Sequence, residues 1–416
     1  MIRSTTLAVV TVVWVILAAV TCGTQQGPDE FLAQGDSALA QGSLDQAIDH
    51  YKKGIAIVTE EDSLETEISL HTNLATAYSS NDNVKDSVKS YENALKVYKK
   101  NIDDIVDQDI QQSCKLITAQ SAFFLGMEYQ DLKQSHDAAD AYQYAHTLDP
   151  QHWASLANLG SVLHDELNQH AKALEAYNKA YTILTNTEKE PTDPPEQPKF
   201  VLSQLQYRIG LCIAHDATRK CALDDNPDQA VDCNEMAAHA FSLALQFDPD
   251  NENAKHMLAT TTADATMKRA SNKYVKDLFD DYAQNFEHSL VDELQYTGFE
   301  RLRRGFDRAF DGNPPQFSKV IDAGCGTGLV GEQFRNVSET LVGVDLSEAI
   351  LMEAQKARPK LYNELVAADL IDVFEQRHAQ SIDLIVAADS YIYFGDLDPL
   401  FAAMQVGLVE GGYLAF

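Results

Sequence analysis

An internal repeat that runs from residue 28 to residue 250 constrains the fold of this chain more than any other feature. Each copy has a small residue, another about twelve positions later, an aromatic residue four further on and a third small residue three beyond that. This spacing predicts helical hairpins, in which the small residues let two helices approach closely and the ring fills the gap between neighbouring hairpins. The copies are Gly35, Ala47, Tyr51 and Gly54; Ala75, Ser87, Tyr91 and Ala94; Gly126, Ala138, Tyr142 and Ala145; Gly160, Ala173, Tyr177 and Ala180; and Gly210, Ala237, Phe241 and Ala244.

This order of residues resembles the tetratricopeptide repeat, with about five units, and the third copy fits the family pattern best. The copies are unevenly spaced because the sequence carries insertions near residues 186–200 and 216–229. A generic helical bundle with alanine and tyrosine at helical spacing is the alternative, and the order shared by all copies favours the repeat. A solenoid of this kind presents a concave face, so the resemblance implies a protein or peptide partner.

The first 23 residues have the layout of a signal peptide or signal anchor. Arg3 precedes an apolar run from Leu7 to Val20, and polar residues follow. The run is shorter than the ~20 residues that span a bilayer comfortably. Because Arg3 favours the cytoplasmic side, the sequence predicts entry into the secretory route or N-terminal membrane anchoring, and a domain that faces the cytosol is the alternative.

The charge of the chain argues against one class of partner. Asp and Glu number 63 against 32 Lys and Arg, which gives a net charge of −31. An acidic surface repels phosphate backbones, so we expect no nucleic-acid binding. The six cysteines form no C-x-x-C pair, so no metal site is expected. Cys212, Cys221 and Cys233 lie in one segment, which predicts a disulfide in an oxidising compartment and buried thiols in the cytosol.

The character of the sequence changes after residue 315. Residues 251–315 are predicted to form capping and lid helices, whereas residues 316–416 alternate short apolar runs with helical stretches. This alternation predicts an α/β domain with a doubly wound, Rossmann-like parallel sheet. The apolar runs end in four acids: Asp322, Asp345, Asp369 and Asp389. We expect these acids to converge at the carboxyl edge of the sheet, where ligands of such sheets bind.

The turn after the first run has two interpretations. Gly326, Gly328 and Gly331 match the dinucleotide fingerprint G-x-G-x-x-G. Alternatively, Asp322 followed by Gly324, Gly326 and Gly328 matches the cofactor loop of a methyltransferase. A carboxylate before the glycines would repel a pyrophosphate but suits a ligand with an ammonium group and no phosphate. Asp322 therefore favours S-adenosylmethionine over NAD, and an NAD-dependent oxidoreductase is the less favoured alternative.

From these motifs the chain resembles the class I S-adenosylmethionine-dependent methyltransferases, and among them the predicted methyltransferases with N-terminal tetratricopeptide repeats. Beside the repeats, the resemblance rests on Phe279–Phe286, Asp322–Gly328, Gly343–Ser347, Tyr362–Asp369, Ala387–Leu397 and Gly411–Phe416. It implies cofactor contacts from Asp322, Gly324, Cys325, Gly326, Gly328, Asp345, Leu346, Asp369 and Leu370, with Tyr282 and Phe286 as a lid.

The same resemblance implies a role for each part of the site. The glycines pass under the methionine part, with Asp322 near its amino group. Asp345 holds the ribose hydroxyls and Leu346 lines the adenine, and Asp369 accepts a hydrogen bond from the adenine amine. Tyr282 and Phe286 are four residues apart on a helix, so plain core packing is the alternative to a lid.

Asp389 and Tyr391 are the candidate catalytic residues, because the resemblance places them beside the transferable methyl group. Asp389 acts either as a base or as a group that orients the cofactor. Methyl transfer needs a base only when the acceptor is protonated, so the acceptor leaves little trace in the sequence.

The family fold normally continues beyond Phe416 with a further helix and two strands, so the sequence predicts a C-terminally incomplete domain. Two functions of different class follow. The first is a methyltransferase whose repeats recruit a protein, with the acceptor unknown. The second is a non-catalytic scaffold whose methyltransferase-like domain is inactive.

Overall fold

The structure is a computed structural model that describes residues 26–416 except 60–61, 187–190, 192, 216–220, 223–229, 232 and 263–268. The chain divides into two compact units at the boundary between residues 262 and 263. The first unit holds the repeats, and the second holds the parallel sheet. This boundary lies within the predicted capping region, residues 251–315.

The repeat unit is a series of antiparallel helices, which confirms the predicted solenoid of helical hairpins. In the described ranges, α1 packs with α2, α3 with α4, α5 with α6, α7 with α8 and α9 with α10, and α11 packs on α10. The bounds are α1 Pro28–Ala40, α2 Leu44–Ile57, α3 Leu64–Ser80, α4 Val84–Asn101, α5 Gln108–Asp131, α6 Ser135–Leu148, α7 Trp153–Ser161, α8 His170–Thr185, α9 Pro198–His215, α10 Cys233–Phe247 and α11 Glu252–Thr261.

A ring from the second helix of a hairpin packs against a glycine of the first. A Cβ added at Gly126 of α5 would lie 2.6 Å from Cε1 of Tyr142 on α6, and that ring is fully buried. The same pairing recurs as Gly35 with Tyr51, Gly160 with Tyr177 and Gly210 with Phe241. Tyr142 also belongs to the buried cluster of Leu156 on the next hairpin. The rings therefore pack within their own hairpin as well as against the next one.

We expect Gly126→Ala to destabilise the repeat unit by about 1–3 kcal/mol, because the added methyl group overlaps the Tyr142 ring. Gly305→Ala is the matched control, since Gly305 lies in a helix and a Cβ there meets nothing within 4 Å. It should stabilise the chain by about 0.5–1 kcal/mol through helix propensity. Hydrogen exchange of α5 and α6 measures the local loss, and equal protection in the parent and Gly126→Ala would contradict the expectation.

The predicted signal segment, residues 1–23, lies outside the described residues. Much of the insertion at residues 216–229 and part of the insertion at residues 186–200 also lie outside them. Within the insertion at residues 216–229, β1 (Cys221–Ala222) pairs antiparallel with β2 (Ala230–Val231), which follows the insertion. Cys233 is disulfide-bonded, whereas Cys212 is a free, buried thiol. Among the helices that the structure describes, none is both long and apolar enough to cross a bilayer.

The second unit is a parallel sheet with helices on both faces, which confirms the predicted doubly wound fold. The strand order is β5-β4-β3-β6-β7, and every described neighbour pair is parallel. The strands are β3 Phe317–Ala323, β4 Ser338–Asp345, β5 Glu364–Ala367, β6 Ile382–Val386 and β7 Leu408–Ala415. The helices are α12 Asn272–Tyr282, α13 Phe286–His288, α14 Gly298–Ala309, α15 Leu329–Phe334, α16 Glu348–Ala357, α17 Leu370–Asp372 and α18 Asp398–Gly407.

Alternate residues of the central strands face two different cores. Ile321 of β3 joins a buried cluster with Phe374 and Met404, beside α17 and α18. Its neighbour Val320 joins a second cluster with Phe334 of α15. This alternation follows from the period of two along a strand. Because helices cover both faces of the sheet, ligands can bind only at the carboxyl ends of the strands. The strand order reverses between β3 and β6, and ligands of such sheets bind at this switch point.

Candidate cofactor site

A cavity of about 290 Å³ opens at the carboxyl edge of the sheet. Its walls come from the loops that follow β3, β4, β5 and β6 and from the helical segment before the sheet. Of the residues predicted to bind cofactor or to act in catalysis, these line it: Phe286, Gly324, Cys325, Gly326, Asp345, Leu346, Asp369, Leu370 and Asp389. Asp322, Gly328, Tyr282 and Tyr391 are not among the lining residues.

The glycine loop after β3 is held tightly against its neighbours. Gly324 and Gly326 have φ angles of +73° and +53°, which side chains rarely adopt. A Cβ at Gly324 would overlap Ser390, whereas one at Gly326 would lie 3.1 Å from Cε1 of Phe286. The amides of Gly324 and Cys325 both donate to the Val344 carbonyl oxygen, at 2.8 and 2.9 Å. The loop therefore brings bare backbone to the cavity floor.

Asp345, the last residue of β4, ties this loop to the next one. Its Oδ2 accepts a hydrogen bond from the Gly326 amide, and its Oδ1 accepts one from the Ser347 amide, each at 3.0 Å. Burial raises the pKa of the Asp345 carboxyl, and the backbone amides oppose that rise. Each oxygen has a further lone pair, so the carboxylate can also accept hydrogen bonds from ligand hydroxyls.

Asp322, which the resemblance places near the amino group of the cofactor, is not among the residues that line the cavity. Its side chain is fully buried within β3, and its Oδ2 accepts a hydrogen bond of 2.6 Å from the Tyr362 hydroxyl. The nearby backbone amide of Gly331 lowers the pKa of this carboxyl. Within the described residues, Oδ1 of Asp322 is buried and accepts no well-aligned hydrogen bond. Burial raises the pKa of Asp322 to about 7. In this structure, Asp322 supports the loop from behind and does not face the cavity.

Tyr362, which residue spacing does not single out, fills a slot lined by three glycines. A Cβ at Gly331 would lie 2.7 Å from Cζ of Tyr362, and a Cβ at Gly343 would lie 3.0 Å from Cε1. A Cβ at Gly328 would be 3.2 Å from Cε2. Gly331, the last glycine of the dinucleotide-like match, therefore makes room for a tyrosine.

Asp369, beside β5, is already engaged. Its Oδ1 accepts a hydrogen bond from the Ile371 amide at 2.8 Å, and its Oδ2 is paired with Nη2 of Arg269. The guanidinium of Arg269 also lies 4.3 Å from the ring centroid of Phe394, a cation–π contact. Arg269 and Phe394 both line the cavity and were not predicted, since 100 residues separate Arg269 from Asp369.

Of the two candidate catalytic residues, Asp389 lines the cavity and Tyr391 does not. Asp389 lines the cavity in a left-handed conformation, with φ of +55°. Tyr296 lies beside it, and burial, with a smaller contribution from the Asp389 carboxylate, raises the pKa of the Tyr296 hydroxyl. Tyr391 instead points its hydroxyl towards Sδ of Met404, at 3.8 Å. The predicted catalytic position of Tyr391 is therefore not supported by its orientation.

Of the two predicted lid residues, Phe286 and Tyr282, only Phe286 lines the cavity. Phe286 lies against the glycine loop and lines the cavity. Tyr282 is 40% exposed and meets Phe286 edge-on, with ring centroids 6.0 Å apart. Phe286 therefore covers the loop, while Tyr282 supports it from outside.

The charge of the cavity favours a cation. Three carboxylates line it (Asp345, Asp369 and Asp389), and Arg269 is the one cationic side chain among the described lining residues. Burial raises the pKa of the Cys325 thiol, which keeps it neutral. A pyrophosphate would meet net repulsion here, whereas a sulfonium with an ammonium group would be attracted.

Two family models match the chain. Residues 320–412 match a family described as a methyltransferase domain, and residues 125–191 match a family described as a tetratricopeptide repeat. No curated protein sequence matches the chain significantly.

Several solved structures resemble parts of the chain. A crystal structure of MamA is 22% identical over 52% of this chain. A crystal structure of YrrB, titled a TPR protein with an unusual peptide-binding site, is 17% identical over 55% of this chain. They are covered over 94% and 89% of their own length, with TM-scores of 0.35 and 0.37. An S-adenosylmethionine-dependent methyltransferase from Clostridium acetobutylicum is 26% identical over 32% of this chain and 55% of its own, with a TM-score of 0.27. The two family matches by themselves show tetratricopeptide repeats at residues 125–191 and a C-terminal methyltransferase domain at residues 320–412.

Proposed function

We propose that this protein is an S-adenosylmethionine-dependent methyltransferase whose repeats bind a protein partner. The observation that carries the proposal is the junction of bare glycine backbone with the Asp345 carboxylate at the switch point of a methyltransferase-domain sheet. The net negative, aromatic-walled cavity supports a cationic methyl donor.

The residues present fit that cofactor. Asp345 has lone pairs left for the ribose hydroxyls, and Leu346, Ile350 and Leu370 give an apolar wall for a flat base. The Gly324–Gly326 backbone can lie under the amino-acid part. The bound cofactor would supply a methyl carbon already activated by a sulfonium, and the protein's task is to align the acceptor and exclude water.

Calorimetric titration tests this proposal. The purified chain should bind S-adenosylmethionine and S-adenosylhomocysteine saturably and should not bind NADH. Absence of saturable heat with both sulfur compounds would refute the proposal and favour the scaffold function. Saturable heat with NADH alone would favour the oxidoreductase.

Arg269→Ala should tighten S-adenosylmethionine binding by about tenfold, equivalent to 1.4 kcal/mol. Arg269 pairs with Oδ2 of Asp369 and covers one face of the Phe394 ring. A flat base with an amino group would need the same carboxylate oxygen and the same ring face, so Arg269 competes with it. Lys273→Ala removes an exposed positive charge of α12 and is the matched control. Weaker binding by Arg269→Ala would show instead that Arg269 supports the ligand.

A further inference from the structure

The cavity wall near Asp389 differs in chemistry from the rest of the site. The rings of Phe279 and Tyr393 stand at 78° to each other with centroids 5.3 Å apart, and Phe286 meets Phe279 at 71° and 5.9 Å. All three line the cavity together with the Asp389 carboxylate and Tyr296. Aromatic faces beside a carboxylate attract an organic ammonium ion.

Asp389 is the lining carboxylate that no backbone amide engages in the described structure; the Tyr296 hydroxyl donates one hydrogen bond to it, which leaves lone pairs for a ligand. Asp345 is bound by two backbone amides, and Asp369 by an amide and Arg269. Across the described residues, no cationic side chain pairs with Asp389, which is exposed at the wall of the cavity. Asp389 lies three residues after the end of β6 and has a left-handed backbone, with φ of +55°. Non-glycine residues adopt this conformation infrequently, and such residues cluster at functional sites.

We propose that the methyl acceptor is an aliphatic amine, bound as its ammonium ion between the Asp389 carboxylate and the rings of Phe279 and Tyr393. This inference rests on the proposed methyltransferase function. An anionic acceptor such as a carboxylate would be repelled by Asp389, and a neutral alcohol would donate a hydrogen bond to it but form no ion pair.

The reaction balances with these groups. The ammonium ion gives a proton to the Asp389 carboxylate, and apolar ring walls assist because they disfavour the charged amine. The nitrogen lone pair then forms a bond to the methyl carbon of S-adenosylmethionine as the carbon–sulfur bond breaks. The sulfur keeps the bonding electrons, S-adenosylhomocysteine leaves as a neutral thioether, and Asp389 passes its proton to solvent. The product is the N-methylated ammonium ion.

The acidic composition of the chain is consistent with an amine acceptor. Acidic residues outnumber basic ones along the repeats as in the chain overall, and such a surface raises the local concentration of cationic partners. A lysine side chain on a basic protein is one source of an aliphatic amine, and a free polyamine is another.

Matched probes test the inference. In saturating S-adenosylhomocysteine, which fills the cofactor position, we would titrate n-butylamine, 1-butanol and sodium butyrate, three ligands with the same alkyl chain. Butylamine should bind at least tenfold more tightly than the other two. Asp389→Asn should weaken butylamine binding about tenfold and Tyr393→Leu about threefold, and neither should change 1-butanol binding. Glu375 is exposed in the same domain, so Glu375→Gln is the control and should leave the affinities for all three ligands unchanged.

Methyl transfer gives a second readout. With labelled S-adenosylmethionine, label should pass to butylamine, to poly-L-lysine and to spermidine, and the ratio of the last two distinguishes a protein acceptor from a polyamine. Cofactor binding without preference for butylamine, or an unchanged preference in Asp389→Asn, would overturn the amine inference while the proposed function stands. Failure to bind the cofactor itself would overturn the proposed function.

Discussion

Asp345→Ala is expected to weaken S-adenosylmethionine binding by about 100-fold or more. The change removes two hydrogen bonds between a charged carboxylate and backbone amides, each worth about 1.5–3 kcal/mol, together with any bond to the ligand. The Gly326 and Ser347 amides then lose the group that fixes them. The glycine loop should lose its arrangement and the cavity its floor. Calorimetric titration measures the affinity.

Two further variants separate loss of the site from loss of the fold. Asp345→Asn keeps the shape but turns one acceptor into a donor that faces a backbone N–H, so it should also bind weakly while remaining folded. Asp372→Ala removes an exposed acid of α17 that does not line the cavity, so its affinity should equal the parent's. If Asp345→Asn binds as tightly as the parent, Asp345 has no role in the site.

Asp322→Asn is expected to abolish a pH dependence of stability worth on the order of 4 kcal/mol. Burial raises the pKa of Asp322 from 3.8 to about 7 in the folded chain, a shift of roughly three units at 1.36 kcal/mol each. The folded state therefore holds more protons than the unfolded state between those two pKa values. Stability from this group is fully present below about pH 4 and is lost as pH rises to about 7.

The comparison of the two chains isolates this group from the others that titrate. Asparagine has the size of aspartate and still accepts the Tyr362 hydroxyl bond, but it carries no charge to bury. Urea unfolding of the methyltransferase unit, followed by hydrogen exchange of β3 and β4, should show the parent losing stability relative to Asp322→Asn between pH 4.5 and about 7.5. Parallel stability curves would contradict the buried, titrating carboxyl.

Sequence periodicity predicts the fold well because it records local geometry. The small and aromatic positions of each hairpin lie one helix apart, so Gly126 and Tyr142 are separated by a fixed number of turns and meet wherever the hairpin forms. Strand ends are equally local, and the position of Asp345 at the end of β4 follows from the apolar run before it.

Contacts over long separations explain the parts that were missed. The sequence places Asp322 at a strand end, but whether its side chain faces the cavity or the core depends on Tyr362, 40 residues away. Arg269 precedes the whole sheet and reaches Asp369 across 100 residues, which no spacing encodes. Tyr391 was predicted in the site because the resemblance extends along the chain, but its hydroxyl lies 3.8 Å from Sδ of Met404 on α18 and it does not line the cavity.

The slot around Tyr362 makes substitutions at Gly328, Gly331 and Gly343 depend on the residue at position 362. A methyl group at Gly331 overlaps the phenol ring, so alanine is admissible there only in a background where residue 362 has already become smaller. The reverse change, loss of the ring alone, opens a void beside three glycines and strips the buried Asp322 of its hydrogen bond. Homologues are therefore expected to substitute residues 331 and 362 jointly, and the last glycine of the dinucleotide-like spacing is required by the tyrosine ring and not by a phosphate.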